Sequence, residues 1–241
     1  MRILLSALAL SLLLSGAVEA QSIAIDMGEG GSVTATSVQL IALITLLSLA
    51  PGIAIMVTCF PFMVTVLAIL RQAVGLQQSP PNMLIVSLAL FLTYFVMEPV
   101  FTEAWETGLQ PLMDEQIEVE EAALLTIAPF RDFMVGRVDP DTFSAMAELR
   151  PDAVGTALSP DAPLSVLVPS FMLSEIARAF QVGFLIFLPF LIIDLVVAAV
   201  LMSMGMMMVP PAIVSLPFKL AFFVLADGWA LLAGSLVRGY F

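Results

Sequence analysis

The run from Gln181 to Pro211, QVGFLIFLPFLIIDLVVAAVLMSMGMMMVPP, limits what this chain can become more than any other stretch. It stays apolar for longer than the ~20 residues a helix needs to cross a bilayer. Two features inside it do not suit a plain membrane anchor. Asp194 puts a carboxylate where hydrocarbon would surround it, and Met206, Met207 and Met208 run into Pro210 and Pro211 after a single valine. Charges in such segments usually face a bundle interior or an aqueous path.

Composition agrees with a membrane class. Of 241 residues 61% are hydrophobic and 12% charged, with mean hydropathy +1.08, against about half apolar and about a quarter charged in soluble domains. A formal net charge of −12 argues against a nucleic-acid partner, which requires Lys and Arg to neutralise phosphates. Cys59 is the sole cysteine and there is no histidine. An internal disulfide is therefore impossible, and no metal or haem cofactor is expected.

In chain order, MRILLSALALSLLLSGAVEA (1–20) reads as a secretory signal. Arg2 precedes a short apolar run, and small residues lead to a cleavage point after Ala20. A retained signal anchor is the alternative. A polar lead-in, 21–37, follows. The stretch 38–101 is expected to form a first membrane hairpin. Its apolar run Val38–Leu70 is interrupted by Pro51-Gly52 and by Pro61, where a helix break is expected. Residues 102–165 then carry thirteen Asp and Glu against three Arg, which predicts a water-facing, mainly helical external domain. The second hairpin, 166–241, contains the methionine-rich turn at Pro210 and Pro211. The fold expected is thus an all-α membrane protein of helical hairpins, with about four hydrophobic segments after the cleaved signal. A cleaved signal leaves the N-terminus outside, and the acidic domain then also lies outside.

Few residues can carry chemistry. Asp194 and Asp227 lie on successive apolar segments, so an intramembrane aspartyl protease is one reading and a pair of buried assembly contacts is the other. Counted from the Pro210 turn, Lys219 lies ~13 Å and Asp194 ~24 Å along their helices. That mismatch favours a Lys219–carboxylate pair between staggered subunits over one within a subunit, with snorkelling of Lys219 to the surface as the bland alternative. Glu175 and Arg178 sit three apart on a helix and can pair on one face. A small-solute transporter coupling through Asp194, Lys219 and Asp227 would require inverted repeats, and none is evident.

The methionines carry the most information. Met is unbranched, polarisable and able to repack around irregular surfaces. Met202, Met204 and Met206–Met208 make the turn unusually soft. A ring of such turns would close a pore to ions yet yield to a passing polypeptide.

Three blocks together resemble the FliP family, the P subunits of flagellar type III export gates, akin to the SctR subunits of injectisomes. They are Pro61–Val100, Leu167–Pro211 and Ser215–Trp229, the last reading SLPFKLAFFVLADGW. The resemblance implies a non-enzymatic subunit of the inner membrane and the flagellar basal body. It implies several copies, five in the usual assembly, joined with FliQ-like and FliR-like partners. Unfolded flagellar proteins would pass through the resulting gate. It further implies that Met206, Met207 and Met208 form a gasket. Glu175, Arg178, Asp194, Lys219 and Asp227 are then expected as assembly contacts, and Pro51, Pro61, Pro210 and Pro211 as kinks or turns. The signal and the acidic insertion favour the flagellar member over the injectisome one.

Overall fold

The computed structural model describes residues 33–76, 80–206 and 208–241, and every regular element among them is helical. The signal sequence expected over 1–20 and its cleavage point after Ala20 lie outside the described residues. Contact density divides the chain at Ser48 and Leu49. The first unit, as described, is the N-terminal part of helix α1 (Val33–Met56), and the second holds everything from Leu49 onward.

Helix α1 continues through Pro51 and ends at Met56, and α2 (Phe60–Val74) begins after a break at Val57–Cys59. The break expected at Pro51 is therefore displaced to the residues before Pro61. Pro61 sits in the first turn of α2, where a missing N–H costs nothing because that group has no intrahelical partner. The buried face of α2 repeats at helical spacing, through Cys59, Phe62–Met63, Val66–Leu67, Leu70 and Ala73–Val74.

Helix α3 (Asn82–Ala104) runs through Pro99 and into a π-helical turn at Trp105–Leu109, followed by the short α4 (Gln110–Met113). The rod thus crosses the boundary expected near residue 101 without breaking. Gly108 lies in the π turn against the next helix. A Cβ there would lie 2.7 Å from the backbone nitrogen of Thr126, so only glycine lets α5 (Val119–Val135) approach so closely.

The acid-rich region closes over its own small core. Met134, Val138, Phe143, Ala147 and Ala153 meet Val166, Leu167 and Phe171 from the start of α7 (Leu164–Ser203). Phe143 and Phe171 are fully buried, each worth roughly 1.5–3 kcal/mol relative to exposure. Asp139 caps α6 (Pro140–Glu148) by accepting from the Thr142 N–H at 2.9 Å.

Helix α7 is a single rod of 40 residues. It packs chiefly on α2. Gly183 permits this, since a Cβ would come within 3.1 Å of Ile69 Cγ2. A turn leads to α8 (Pro211–Leu225), which carries Pro217 without breaking, and then to α9 (Gly228–Arg238), bent by 62° from α8. The apolar run after the Pro210 turn is therefore two helices. Asp227 takes a left-handed conformation (φ 49°, ψ 47°) at the bend.

Among the described residues two helical rods, Asn82–Met113 and Leu164–Ser203, are long and apolar enough to cross a membrane. Counting each bent pair as one span raises the number to four.

Candidate functional site

Asp194 and Lys219 form an ion pair inside this one chain. Lys219 Nζ lies 2.6 Å from Asp194 Oδ2, and Ser215 Oγ donates to Asp194 Oδ1 at 2.6 Å. Ser215 and Lys219 lie one turn apart on α8, so both face the same point of α7. The inter-subunit pairing expected from sequence is thus corrected. The expectation counted the methionine stretch as helix. In the structure α7 ends at Ser203 and α8 starts at Pro211, so Asp194 and Lys219 lie nine and eight residues from their helix ends. The described residues between them, 204–206 and 208–210, are not helical.

Lys219 makes one further bond, donating to the carbonyl of Ala73 at 3.1 Å. The last carbonyls of a helix have no intrahelical partner, and a cation there also meets the negative end of the helix dipole. Lys219 therefore closes α2 at its C-terminal end and fixes α2 to the α7–α8 hairpin. Gly75, whose φ of 88° favours glycine, ends α2 beside it. Snorkelling is excluded in this fold, because the Lys219 side chain is only 7% exposed.

Glu175 is the second charged centre and is fully buried. Arg137 Nε lies 3.1 Å from its Oε1, and the Tyr240 hydroxyl donates to Oε2. Arg178 stands farther off, at 3.8 Å. Arg137 also donates to the Gly239 carbonyl at 2.8 Å and lies 4.0 Å over the Tyr240 ring. Phe62 meets that ring edge-on and Phe133 stacks on it. Burial, reinforced by the Glu175 carboxylate, pushes the Tyr240 phenol well above its usual range and keeps it a donor. Glu175 thus joins three parts of the sequence: the acid-rich region, α7 and the chain after α9.

The turn between α7 and α8 is apolar and open. Gly205 takes φ 76°, and the side chain of Met208 is 97% exposed. Met202 and Met204 are also exposed. Met207 lies outside the described residues. Pro210 and Pro211 occupy the cap and first position of α8, as turn residues.

Asp227 stands apart from all of this. It follows Lys219 by eight residues, and its side chain has no hydrogen-bond or ion-pair partner among the described residues. No carboxylate dyad forms with Asp194, whose two oxygens are already engaged by Ser215 and Lys219. The protease reading fails on that geometry.

A model described as the FliP family matches residues 43–236 of this sequence. The chain belongs to the FliP family. It is 50% identical to the flagellar biosynthetic protein FliP of Caulobacter vibrioides over 98% of this chain and 88% of that one. The FliP of Agrobacterium fabrum is 48% identical, with 97% of each chain covered. The more distant FliP of Bacillus subtilis is 46% identical over 85% of this chain and 92% of its own.

The FliP match takes in Ala73, Arg137, Glu175, Asp194, Ser215 and Lys219, and stops four residues before Tyr240. Sequence reasoning missed Ser215, Arg137 and Tyr240. The i, i+4 spacing of Ser215 and Lys219 was a usable signal. Arg137 and Tyr240 left none, because 102 residues separate Arg137 from the Gly239 carbonyl it binds.

Proposed function

We propose that this FliP-family chain is a subunit of the flagellar protein export gate in the bacterial inner membrane. Several copies, five in the arrangement the family implies, join FliQ-like and FliR-like partners around a passage for unfolded flagellar proteins. The chain's part is structural and not enzymatic. The acid-rich region 102–165 faces outward, and the α7–α8 turn lies on the passage.

One observation carries the pore reading. A methionine-rich turn holds Met208 at 97% exposure, where a lone soluble subunit has no use for such a side chain. Met adapts to irregular surfaces, which suits a seal that must close on ions and deform around a polypeptide. Copies of the turn meeting at an axis would place Met206, Met207 and Met208 in a ring. Asp194, Lys219, Glu175 and Arg178 serve assembly by holding each copy's hairpin in one shape.

The test is secretion. Removing the chain from its host should abolish export of rod and hook subunits, and returning the full chain should restore it. The chain should also co-purify from mild detergent with FliQ-like and FliR-like membrane partners. Export that continues without the chain would overturn the proposal.

A further inference from the structure

Helix α3 carries two seams, and the chain itself uses only one of them. Ile85, Ala89, Leu92 and Val96 repeat at helical spacing and are buried in the core. On the opposite side Ser87, Phe91, Tyr94, Glu98, Phe101 and Trp105 follow at alternating steps of four and three, running into the π turn, and all are exposed. Steps of four and three are the spacing by which one helix docks along another.

A carboxylate within that second seam does not suit a face turned to lipid. Glu98 precedes Trp105 by seven residues, or ~10 Å along the helix, and tryptophan favours the membrane boundary. Intramembrane carboxylates usually face a bundle interior or an aqueous path. Glu98 makes no hydrogen bond or ion pair among the described residues. The rod Asn82–Met113 has no Lys or Arg, and its other charges, Glu103 and Glu106, are carboxylates too.

A second acceptor lies one turn away. Pro99 has no N–H to offer the Phe95 carbonyl, so that oxygen lacks its usual helical donor. At membrane depth such freed groups are satisfied by neighbouring helices. Tyr94 and Phe101 stack on the same face, with ring centroids 6.4 Å apart, and ring faces attract a cation. Carboxylate, carbonyl and rings together suit a Lys or Arg side chain.

This chain has none to spare. Among its described cations, Lys219, Arg137, Arg178 and Arg150 pair with carboxylates. Arg71, Arg131 and Arg238 donate to carbonyl oxygens. A second copy therefore brings no uncommitted cation to Glu98.

We infer that the exposed seam of α3 docks a helix of a different subunit, whose Lys or Arg pairs with Glu98 and donates to the Phe95 carbonyl. The inference rests on the reading of the chain as one subunit of a mixed assembly, and it assigns the chemistry of one contact there.

The test uses the full chain in its host membranes, with a photoreactive phenylalanine analogue in place of Phe91. Light should join it to a different protein, at an apolar helix that mass spectrometry shows to hold a Lys or Arg. Glu98→Gln should lower that adduct about tenfold or more, the loss expected for one charge-assisted contact. In detergent the isolated Glu98→Gln chain should melt with wild type, since Glu98 has no partner within the chain. Glu98→Lys should abolish the adduct, and exchanging the partner's cation for Glu should restore it.

An adduct formed only with lipid or with a second copy would overturn the inference. So would an unchanged Glu98→Gln adduct, or a captured helix without a cation. If wild type yields no complex with other subunits, the proposed function fails as well. An intact complex whose adduct ignores Glu98 overturns only the contact argued here.

Discussion

Lys219 reaches Asp194 Oδ2 at 2.6 Å and the Ala73 carbonyl at 3.1 Å, so one ammonium joins α7, α8 and the end of α2. A charge held this way serves as a joint inside a subunit, and its loss should be felt by the subunit before any partner arrives.

Replacing Lys219 with Ala strands Asp194 and leaves the Ala73 carbonyl without its donor. Breaking a fully buried pair costs roughly 3–5 kcal/mol. Asp194 is 34% exposed, which reduces that to about 2–3 kcal/mol. Thermal unfolding of the detergent-solubilised chain should fall accordingly. The double variant Asp194→Leu with Lys219→Met should be less damaging than either single change, as a double-mutant cycle can measure.

Tyr240→Phe keeps the ring under Arg137 but removes the bond to the Glu175 carboxylate. A hydrogen bond to a charged group contributes about 1.5–3 kcal/mol. The expected result is a modest loss of stability with faster proteolysis of the last residues. Arg137→Lys should be worse, because lysine cannot serve Glu175, the Gly239 carbonyl and the ring together. Equal stability of Arg137→Lys and wild type would contradict the assignment.

Asp139 supplies a pH signature. The Thr142 N–H and hydroxyl hold its carboxyl below the ordinary value of 3.8. A depressed carboxyl stabilises the fold at pH above its unfolded value, and that contribution fades as pH falls through the folded one. Asp139→Asn can still cap the helix but does not titrate there. Wild type should therefore lose stability relative to Asp139→Asn only below about pH 4. Parallel melting curves through that range would refute the cap.

Two glycines should respond differently to alanine. At Gly183 the new methyl meets the side chain of Ile69, which can rotate away. At Gly108 it meets the Thr126 backbone nitrogen at 2.7 Å, which cannot. Overpacking typically costs 1–3 kcal/mol. Gly108→Ala should fall at or above the upper end and Gly183→Ala near the lower, as denaturation in detergent can compare.

Much of the fold was legible because apolar runs and their proline punctuation bound the helices directly. The all-helical class, the Pro210–Pro211 turn and the helical pieces of the acid-rich region followed from that pattern. Proline was the weaker guide to interruptions. Pro51, Pro99 and Pro217 all lie within helices, whereas the real breaks fall at Val57–Cys59 and Asp227. The candidate site was half legible. Asp194, Lys219 and Glu175 stood out as charges in greasy surroundings. Their partners did not, because Arg137 and Tyr240 reach Glu175 only through tertiary packing. The Lys219–Asp194 pairing was misjudged for one physical reason: residues 204–206 and 208–210 were counted as rising helix and are not helical.

The central claim concerns that turn, and ion leakage tests it most directly. Met206, Met207 and Met208 should be replaced together by alanine in the chain expressed with its partners, and ion flux across the host membrane measured alongside export of flagellar subunits. The account predicts a clear rise in leakage while export persists or falls only in part. A triple variant that leaks no more than wild type, with the gate assembled, would contradict it.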